Sequence, residues 1–387
     1  MIKPSVGVYR TVFPRYSETF ISEQMRSLAK YQPVLITREL VREVNSLPVV
    51  TLGKKYRILK NIGFTGLGLT FGFDKPELQR KLNLIHAHFA PDAVLVLPLA
   101  EKLNIPLVVT CHGSDVTVSI RHIAKSMKLS GYRYLIGRRR LFNKAALFIA
   151  VSDFLRKKMV AAGFPEKKVV RHYVGIDTAR FTPRCDAQHL PGRRPYVLSI
   201  ARHTDVKGLD LLLRAFALVA NTHPDLRLVQ IGGGELTESL KNLASTLKIE
   251  GRVDFLGPMP SEKVLPYIQD CLGVVLSSRR SVSGAEESFG LVLIEASACG
   301  VPCIGTRVGG IPEAIVDGET GFLVEPENVN DLAEKVSRLV SEPELAASMG
   351  KRGRKMVCES FDLHKQTAQL EVIYTQLLAG QKEGPRL

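Results

Sequence analysis

The feature that most constrains this 387-residue chain is an alternation that runs through it twice. Short apolar runs of strand length take turns with longer segments of helical spacing, an order that specifies βαβ units and parallel sheets. The first series places strands at residues 6–12, 33–37, 84–88, 106–110, 147–151 and 169–172. The second restarts at 196–200 and continues at 226–232, 253–256, 273–276, 302–306 and 321–324. Between them, from Gly175, lies GIDTARFTPRCDAQHLPGRRP, rich in turn formers and without periodicity. The expected architecture is α/β: two doubly wound, Rossmann-like parallel-sheet domains with a cleft between them, since ligands of such sheets sit beyond the carboxyl ends of the strands. The expected boundaries are 1–178 for the first domain, 179–194 for a linker and 195–358 for the second domain. A C-terminal segment, 359–387, with helical spacing from 361 to 378, is expected to pack back across the domains.

Charge divides the two halves. Residues 1–185 hold 31 Lys and Arg against 12 Asp and Glu, a surplus of 19, while the remainder holds 22 against 26; together they give the net +15. Such asymmetry predicts a polyanionic partner for the first half. No acid occurs between Asp115 and Asp153, where Arg121, Lys125, Lys128, Arg133, Arg138, Arg139, Arg140 and Lys144 accumulate. Apolar Ile120, Ile123, Met127, Tyr134, Leu135, Ile136, Leu141 and Phe142 are interleaved with them. A solvated helix face would explain the charge but not the interleaving. Nucleic acid would explain the charge, but no helix-turn-helix, RNP or zinc-finger pattern accompanies it. A basic amphipathic segment on an anionic membrane surface explains both, with Arg138, Arg139 and Arg140 as the contact and no nucleic acid as partner.

The first residues, MIKPSVGVYRTVF, lack the long apolar core of a signal peptide and read as a first strand. No window approaches the roughly 18–20 apolar residues of a spanning helix. Cysteines 111, 185, 271, 299, 303 and 358 form no metal-ligand spacing, which fits a reducing cytoplasm. No metal is expected, and the protein is expected to be cytoplasmic and peripheral on the inner face of the membrane.

The stretch EESFGLVLIEASACGVPCIGT, Glu286 to Thr306, holds the sharpest anomaly. An apolar run, Leu291 to Ile294, ends in Glu295, and another carboxylate, Glu287, lies eight positions earlier. Residues 290–299 have a helical pattern, Gly300 suits the position after a helix, and Val-Pro opens the next strand. Glu287, Ser288 and Phe289 therefore lie at the turn feeding a helix N-terminus, where free backbone N–H groups and the dipole favour an anion. Gly290 is expected to let a ligand approach the backbone. At about 1.5 Å per residue, Glu295 sits about one and a half turns deeper. Beside an anion, a carboxylate is useful as an acceptor for neutral hydroxyls. Sugar hydroxyls at either end with phosphate between them describe a nucleotide sugar. In LSIARHTDVKGLDLLLRAF, a loop with Arg202 and Lys207 follows a strand and precedes an amphipathic helix, which suits a pyrophosphate leaving group. QIGGGE, around Gly233, is a third glycine-rich turn where a base or ribose could approach, a weak signal by itself.

Glu-x7-Glu in ESFGLVLIE, the Arg-x4-Lys loop, SDFLRKKMVAAGFPEKKVVRHYVGIDTARFTP and GVPCIGTRVGGIPEAIVDGETGFLVEP together resemble the family 4 glycosyltransferases of GT-B fold. The similarity spans nearly the whole chain and is strongest from about 147 to 330. The family's members are retaining, metal-independent and use nucleotide-activated sugars. The resemblance implies that Glu287 meets donor-sugar hydroxyls, Glu295 the ribose diol, and Arg202 with Lys207 the diphosphate. The backbone of Phe289, Gly290 and Leu291 would meet sugar and phosphate. No cofactor is implied, and the absence of Asp-x-Asp agrees with metal independence.

In the first half, VVTCHGSDV ends a strand with His112, which the family's His-Gly-x-Asp pattern places on the donor sugar or the acceptor. Asp115 reads as a cap of the following helix. His86 and His88 read as a strand end lining the cleft. Relatives often carry Gly-Gly after the first strand; here FPRYSETFISEQMRSL replaces it, with Ser17 as a helix cap and Glu18 as a first-turn charge or acceptor base. FPxxSETFI resembles the branch that builds exopolysaccharide and lipopolysaccharide, implying a glycan or polyprenol- or lipid-linked acceptor. A dehydrogenase is excluded by the missing GxGxxG after the first strand. A sugar phosphorylase or epimerase of the same architecture, or a basic nucleic-acid binder, are the competing readings.

Overall fold

The structure, a computed structural model, describes residues 3–14, 18–42, 44, 47–51, 73, 82–125, 129–184 and 194–382. Ser17, Met127, Lys128, Cys185 and the expected linker from 185 to 193 therefore lie outside the described residues. Two compact units form: residues 1–175 with 363–387, and residues 176–362.

Unit 1 contains β1 (Ser5–Phe13), β2 (Gln32–Leu40), β3 (Val49–Thr51), β4 (Leu82–His88), β5 (Leu107–Cys111), β6 (Leu147–Ala150) and β7 (Val169–Arg171). Every pairing is parallel and the order is β3-β2-β1-β4-β5-β6-β7. Short β3 has no counterpart in the sequence reading. The central strands β4 and β5 are buried almost throughout, as near-continuous apolar runs must be in a sheet covered on both faces. Val6, Val8, Leu35, Leu84, Val108 and Ile149 form the core of one face, joined by Leu370 and Tyr374 of helix Leu363–Lys382.

Unit 2 contains β8 (Tyr196–Ile200), β9 (Arg227–Ile231), β10 (Val253–Gly257), β11 (Gly273–Leu276), β12 (Cys303–Thr306) and β13 (Gly321–Val324), again all parallel, in the order β10-β9-β8-β11-β12-β13. Helices Leu209–Thr222 and Val329–Ser341 bury Leu212, Phe216, Leu332 and Val336 on it.

The segment 179–184, expected as linker, is attached to unit 2: Arg184 pairs with Asp270, and the Phe181 carbonyl accepts from Arg354 (2.5 Å). The expected C-terminal segment divides. Residues 359–362 stay with unit 2, where Ile176 N donates to Phe361 O (2.9 Å), and helix Leu363–Lys382 packs on unit 1.

Candidate active site

In each sheet the strand order reverses once, between β1 and β4 in unit 1 and between β8 and β11 in unit 2. At such a switch point the connections leave in opposite directions and open a crevice beyond the carboxyl ends of the strands.

In unit 2 the two arms of that crevice carry Lys207 and Glu287. Strand β8 runs into a loop, a 3-10 turn Asp205–Lys207, and helix Leu209–Thr222. Gly208, between turn and helix, has φ +56, and a Cβ there would lie 2.1 Å from the Ser277 carbonyl; only glycine fits. The connection leaving β11 carries Glu287 to the mouth of helix Leu291–Ala298. Lys207 Nζ donates to Glu287 Oε2, the two side chains being 17% and 16% exposed. Ser278 Oγ donates to the same oxygen at 3.5 Å. Arg202 is exposed on the same loop as Lys207.

Gly290 caps the helix at φ +90, and a Cβ there would meet Leu293 and Leu276 side chains at 3.0 and 3.2 Å. Backbone conformation and core packing thus demand this glycine, a different reason from the ligand approach expected of it. Phe289 is buried, Leu291 is half-buried in the first turn, and Glu295 stands half-buried one turn further along. In the glycine-rich turn after β9, Gly232 and Gly234 are the forced positions, with Cβ sites 1.9 Å from Ala201 O and 2.6 Å from His203 O. Gly233 lies between them and accepts from His203 N at 3.0 Å.

Two elements of this site escaped the sequence reading. Gly309 and Gly310 press against the Glu287–Ser288 backbone, with Cβ sites 1.9 and 2.0 Å from the Glu287 and Ser288 carbonyls, and Gly310 N donates to Glu287 O at 2.9 Å. Their signal was the Gly-Gly dipeptide just after a predicted strand. Arg279 bonds to Asp205 and Asp210, a contact across some seventy residues that no local pattern announces.

The corresponding end of unit 1 is built differently. Arg10, inside the buried β1, makes a two-point contact with Glu18 (2.9 and 2.8 Å) and a third bond to Asp92 (2.5 Å). Glu18, expected as a first-turn charge or acceptor base, is a buried partner of Arg10 at the N-cap position of the helix Thr19–Arg26. The clue, a cation in the middle of an apolar strand, lay in VGVYRTVF. His86 and His88 are likewise buried and do not line an open surface. His86 bonds Tyr374 Oη (2.5 Å) and Thr110 Oγ1 (2.6 Å), and His88 Nδ1 lies 2.9 Å from His112 Nε2. Burial holds the His86 and His112 imidazoles down at about 3, helped by His172 for the first and by His86 and Arg10 for the second. His88 is lowered by burial too, then by His86, His112 and Arg10. All three are neutral at physiological pH. Asp115 does more than cap: its carboxylate accepts from Ala90 N (3.0 Å), His112 N (3.1 Å) and Gly113 N (2.8 Å), tying the exit of β4 to that of β5. Phe89, between these groups, holds φ +71, a conformation costing about 1–3 kcal/mol for a residue with a side chain.

The three arginines read as a membrane contact lie on helix Leu129–Lys144 in different settings. The Arg138 guanidinium sits 5.8 Å from the Phe142 ring centroid, Arg140 pairs with Glu101 at 2.5 Å, and Arg139 is exposed. The same helix exposes Leu129 (64%), Tyr132 and Ile136 (83%). Among the described residues no helix is long and apolar enough to cross a membrane, and no cluster of three or more His, Cys, Asp or Glu could hold a metal ion.

Two family models match, "Glycosyl transferases group 1" over residues 185–356 and "Glycosyltransferase Family 4" over residues 18–180. N-acetyl-alpha-D-glucosaminyl L-malate synthase of Bacillus anthracis is 33% identical over 79% of this chain and 78% of its own. GDP-mannose-dependent alpha-(1-6)-phosphatidylinositol monomannoside mannosyltransferase of Mycolicibacterium smegmatis is 31% identical over 76% of this chain and 75% of its own. Among solved structures, Anabaena Alr3699/HepE in complex with UDP and glucose superposes with a TM-score of 0.77 at 18% identity, covering 97% of this chain and 100% of that one. Sucrose-phosphate synthase from Thermosynechococcus elongatus gives 0.77 at 21% identity, covering 98% and 100%.

Proposed function

Since this chain belongs to the family 4 glycosyltransferases of GT-B fold, enzymes that use nucleotide-sugar donors, we propose that it transfers a sugar with retention from a UDP- or GDP-linked donor to a glycan or lipid-linked acceptor in cell-surface polysaccharide synthesis. The observation that carries the donor side is the Lys207–Glu287 pair at the β8–β11 switch, beside the N-terminus of helix Leu291–Ala298.

Each group then has a role set by its chemistry. Lys207 and exposed Arg202 neutralise the diphosphate as it leaves, where charge develops. The backbone of Phe289, Gly290 and Leu291 supplies N–H groups to sugar and phosphate. Glu287, whose charge Lys207 balances in the free protein, accepts from sugar hydroxyls, and Glu295 from the ribose diol. The Gly233 turn borders the nucleoside. His112, half-buried and kept neutral chiefly by desolvation, offers a ring nitrogen to a sugar or acceptor hydroxyl. In the proposed step the bond from the anomeric carbon to the diphosphate breaks on the face where the acceptor oxygen bonds, the acceptor hydroxyl's proton passes to the departing diphosphate oxygen, and no covalent glycosyl-enzyme forms. No metal or other cofactor takes part.

HepE crystals hold UDP and the mycobacterial relative uses GDP-mannose, so both bases stay within the proposal. For the acceptor, exposed Leu129, Tyr132, Ile136 and Arg139 on one basic helix support a peripheral site on an anionic cytoplasmic leaflet, where a lipid-linked acceptor would be met.

The test is to incubate the protein with a panel of UDP and GDP sugars, measure slow nucleotide release, and determine the anomeric configuration of the transferred sugar by NMR. Release from one donor class with retained configuration is expected. An inverted product would remove the mechanism, and no release from any donor would remove the donor assignment.

A further inference from the structure

The Asp205–Lys207 turn has two i to i+3 bonds of its own, Lys207 N to Thr204 O (3.0 Å) and Gly208 N to Asp205 O (3.1 Å). A 3-10 turn this short has little independent stability. It nevertheless carries the cation on which the donor site depends, and a displacement of about 1 Å in such a group costs on the order of 100-fold in rate. The restraint comes from the neighbouring strand. β11 pairs with β8, and its exit residues bond to the turn. Ser277 Oγ donates to the carbonyls of Lys207 (3.2 Å) and Gly208 (2.9 Å), and Arg279 N donates to Val206 O (2.9 Å).

The Arg279 guanidinium adds four contacts. Nε donates to Asp205 O (3.2 Å) and Oδ1 (3.1 Å), Nη2 to Asp205 Oδ1 (2.7 Å), and Nη1 to Asp210 Oδ2 (3.1 Å). Asp205 precedes Lys207 by two residues and Asp210 follows it by three, in the first turn of helix Leu209–Thr222. One planar fork therefore fixes the backbone on both sides of the lysine, which a flexible ammonium with a single charged centre cannot do. Two carboxylates already oppose the Arg279 charge and all three of its nitrogens are engaged, so it is poorly placed to bind phosphate itself.

We propose that Arg279 is a positioning residue for the donor diphosphate, acting through Lys207 by clamping the turn that carries it. This rests on the reading that Lys207 meets the diphosphate. The experiment is a double-mutant cycle on the full chain. UDP and GDP are titrated separately against wild type, Arg279→Met, Lys207→Ala and the double variant, with kcat and KM for the matching nucleotide sugar. Arg279→Met should weaken the nucleoside diphosphate that wild type binds and lower kcat/KM, each by about 10- to 100-fold. The double variant should be no worse than Lys207→Ala alone, and Arg279→Lys should fail to rescue. Losses that multiply in the double variant would overturn the proposal while leaving the diphosphate assignment of Lys207 intact. If instead Lys207→Ala binds like wild type, or wild type binds neither nucleotide, the underlying assignment falls and the proposal with it. Should Arg279→Met not fold, Asp205→Ala removes an acceptor of the same fork at a half-exposed position and should show a smaller loss with the same coupling to Lys207; losses that multiply there would overturn it equally.

Discussion

At the β8–β11 switch of unit 2, Lys207 and Glu287 meet with a sixth of each side chain in solvent, and Arg202 is exposed nearby. At the β1–β4 switch of unit 1, Arg10, Glu18 and Asp92 are closed against one another, and the histidines beside them are neutral. The strand order around the switch is the same in both, unit 1 adding a seventh strand at one edge. What differs is whether charge stays open to solvent, as at Arg202 and partly at the Lys207–Glu287 pair, or is consumed internally. An available cation beside N–H groups suits a diphosphate; neutral imidazoles braced by a consumed charge suit hydroxyls. Topology supplies the crevice, and the residues at the strand ends decide its ligand.

Breaking the consumed charge should have the largest effect. Arg10→Met leaves two buried carboxylates unopposed and should cost about 3–5 kcal/mol of stability, seen as a lowered unfolding midpoint. A midpoint within a degree of wild type would show that this cluster is solvated. Removing the available charge should act on rate instead. Lys207→Ala should lower donor turnover by about 100- to 1,000-fold, or about 3–4 kcal/mol, with little change in melting. If turnover survives, the contrast between the two switches has no catalytic meaning.

The histidines sharpen the comparison by pH. Their unfolded values lie near 6.5 and folded His86 and His112 near 3, so the unfolded chain binds more protons between those limits. Stability is therefore complete above about pH 6.5 and falls as pH drops through that window, by about 1.4 kcal/mol per unit for each histidine. Urea unfolding between pH 7 and 5 measures the slope, and His86→Asn should flatten it.

Smaller effects separate the two glutamates of unit 2. Glu295→Gln should weaken nucleotide binding by about tenfold, as loss of a hydrogen bond to a charged group predicts, and leave saturated turnover nearly unchanged. Glu287→Gln should lower turnover. The reverse pattern would exchange their roles. Smallest of all, Arg139→Gln should weaken binding to phosphatidylglycerol vesicles at low salt by about fivefold, close to 1 kcal/mol, and added salt should erode the wild-type binding. Wild type that fails to float with such vesicles would remove the membrane from the proposal.

The sheets were legible because each strand is a local apolar run, as at Tyr196–Ile200 or Leu84 to His88, and burial on both faces leaves little room for another pattern. β3 was missed because its three residues, Val49–Thr51, fall short of the roughly four to eight that read as a strand. Glu295 was legible as a carboxylate interrupting an apolar helix, and Lys207 as a cation at a strand exit. Asp92 and Arg279 were not, because their partners lie about seventy to eighty positions away and nothing in either segment encodes the match. Gly208 and Gly290 were visible as glycines, but the reasons for them, a carbonyl 2.1 Å from a missing Cβ and a left-handed cap, exist only in three dimensions.

The return of helix Leu363–Lys382 to unit 1 puts translation out of step with folding. Its Glu371 carboxylate accepts from Lys30 N, its Tyr374 hydroxyl bonds His86, and its Leu370 and Tyr374 complete the core of unit 1. All of unit 2 is encoded before it. At about 5–20 residues per second, a ribosome spends roughly 10–40 s making that intervening segment. During those seconds the nascent unit 1 carries an uncovered apolar face, while unit 2, contiguous in sequence, can close as soon as it emerges. A chaperone that binds apolar surface should therefore engage the nascent first half and release it only when the last helix arrives.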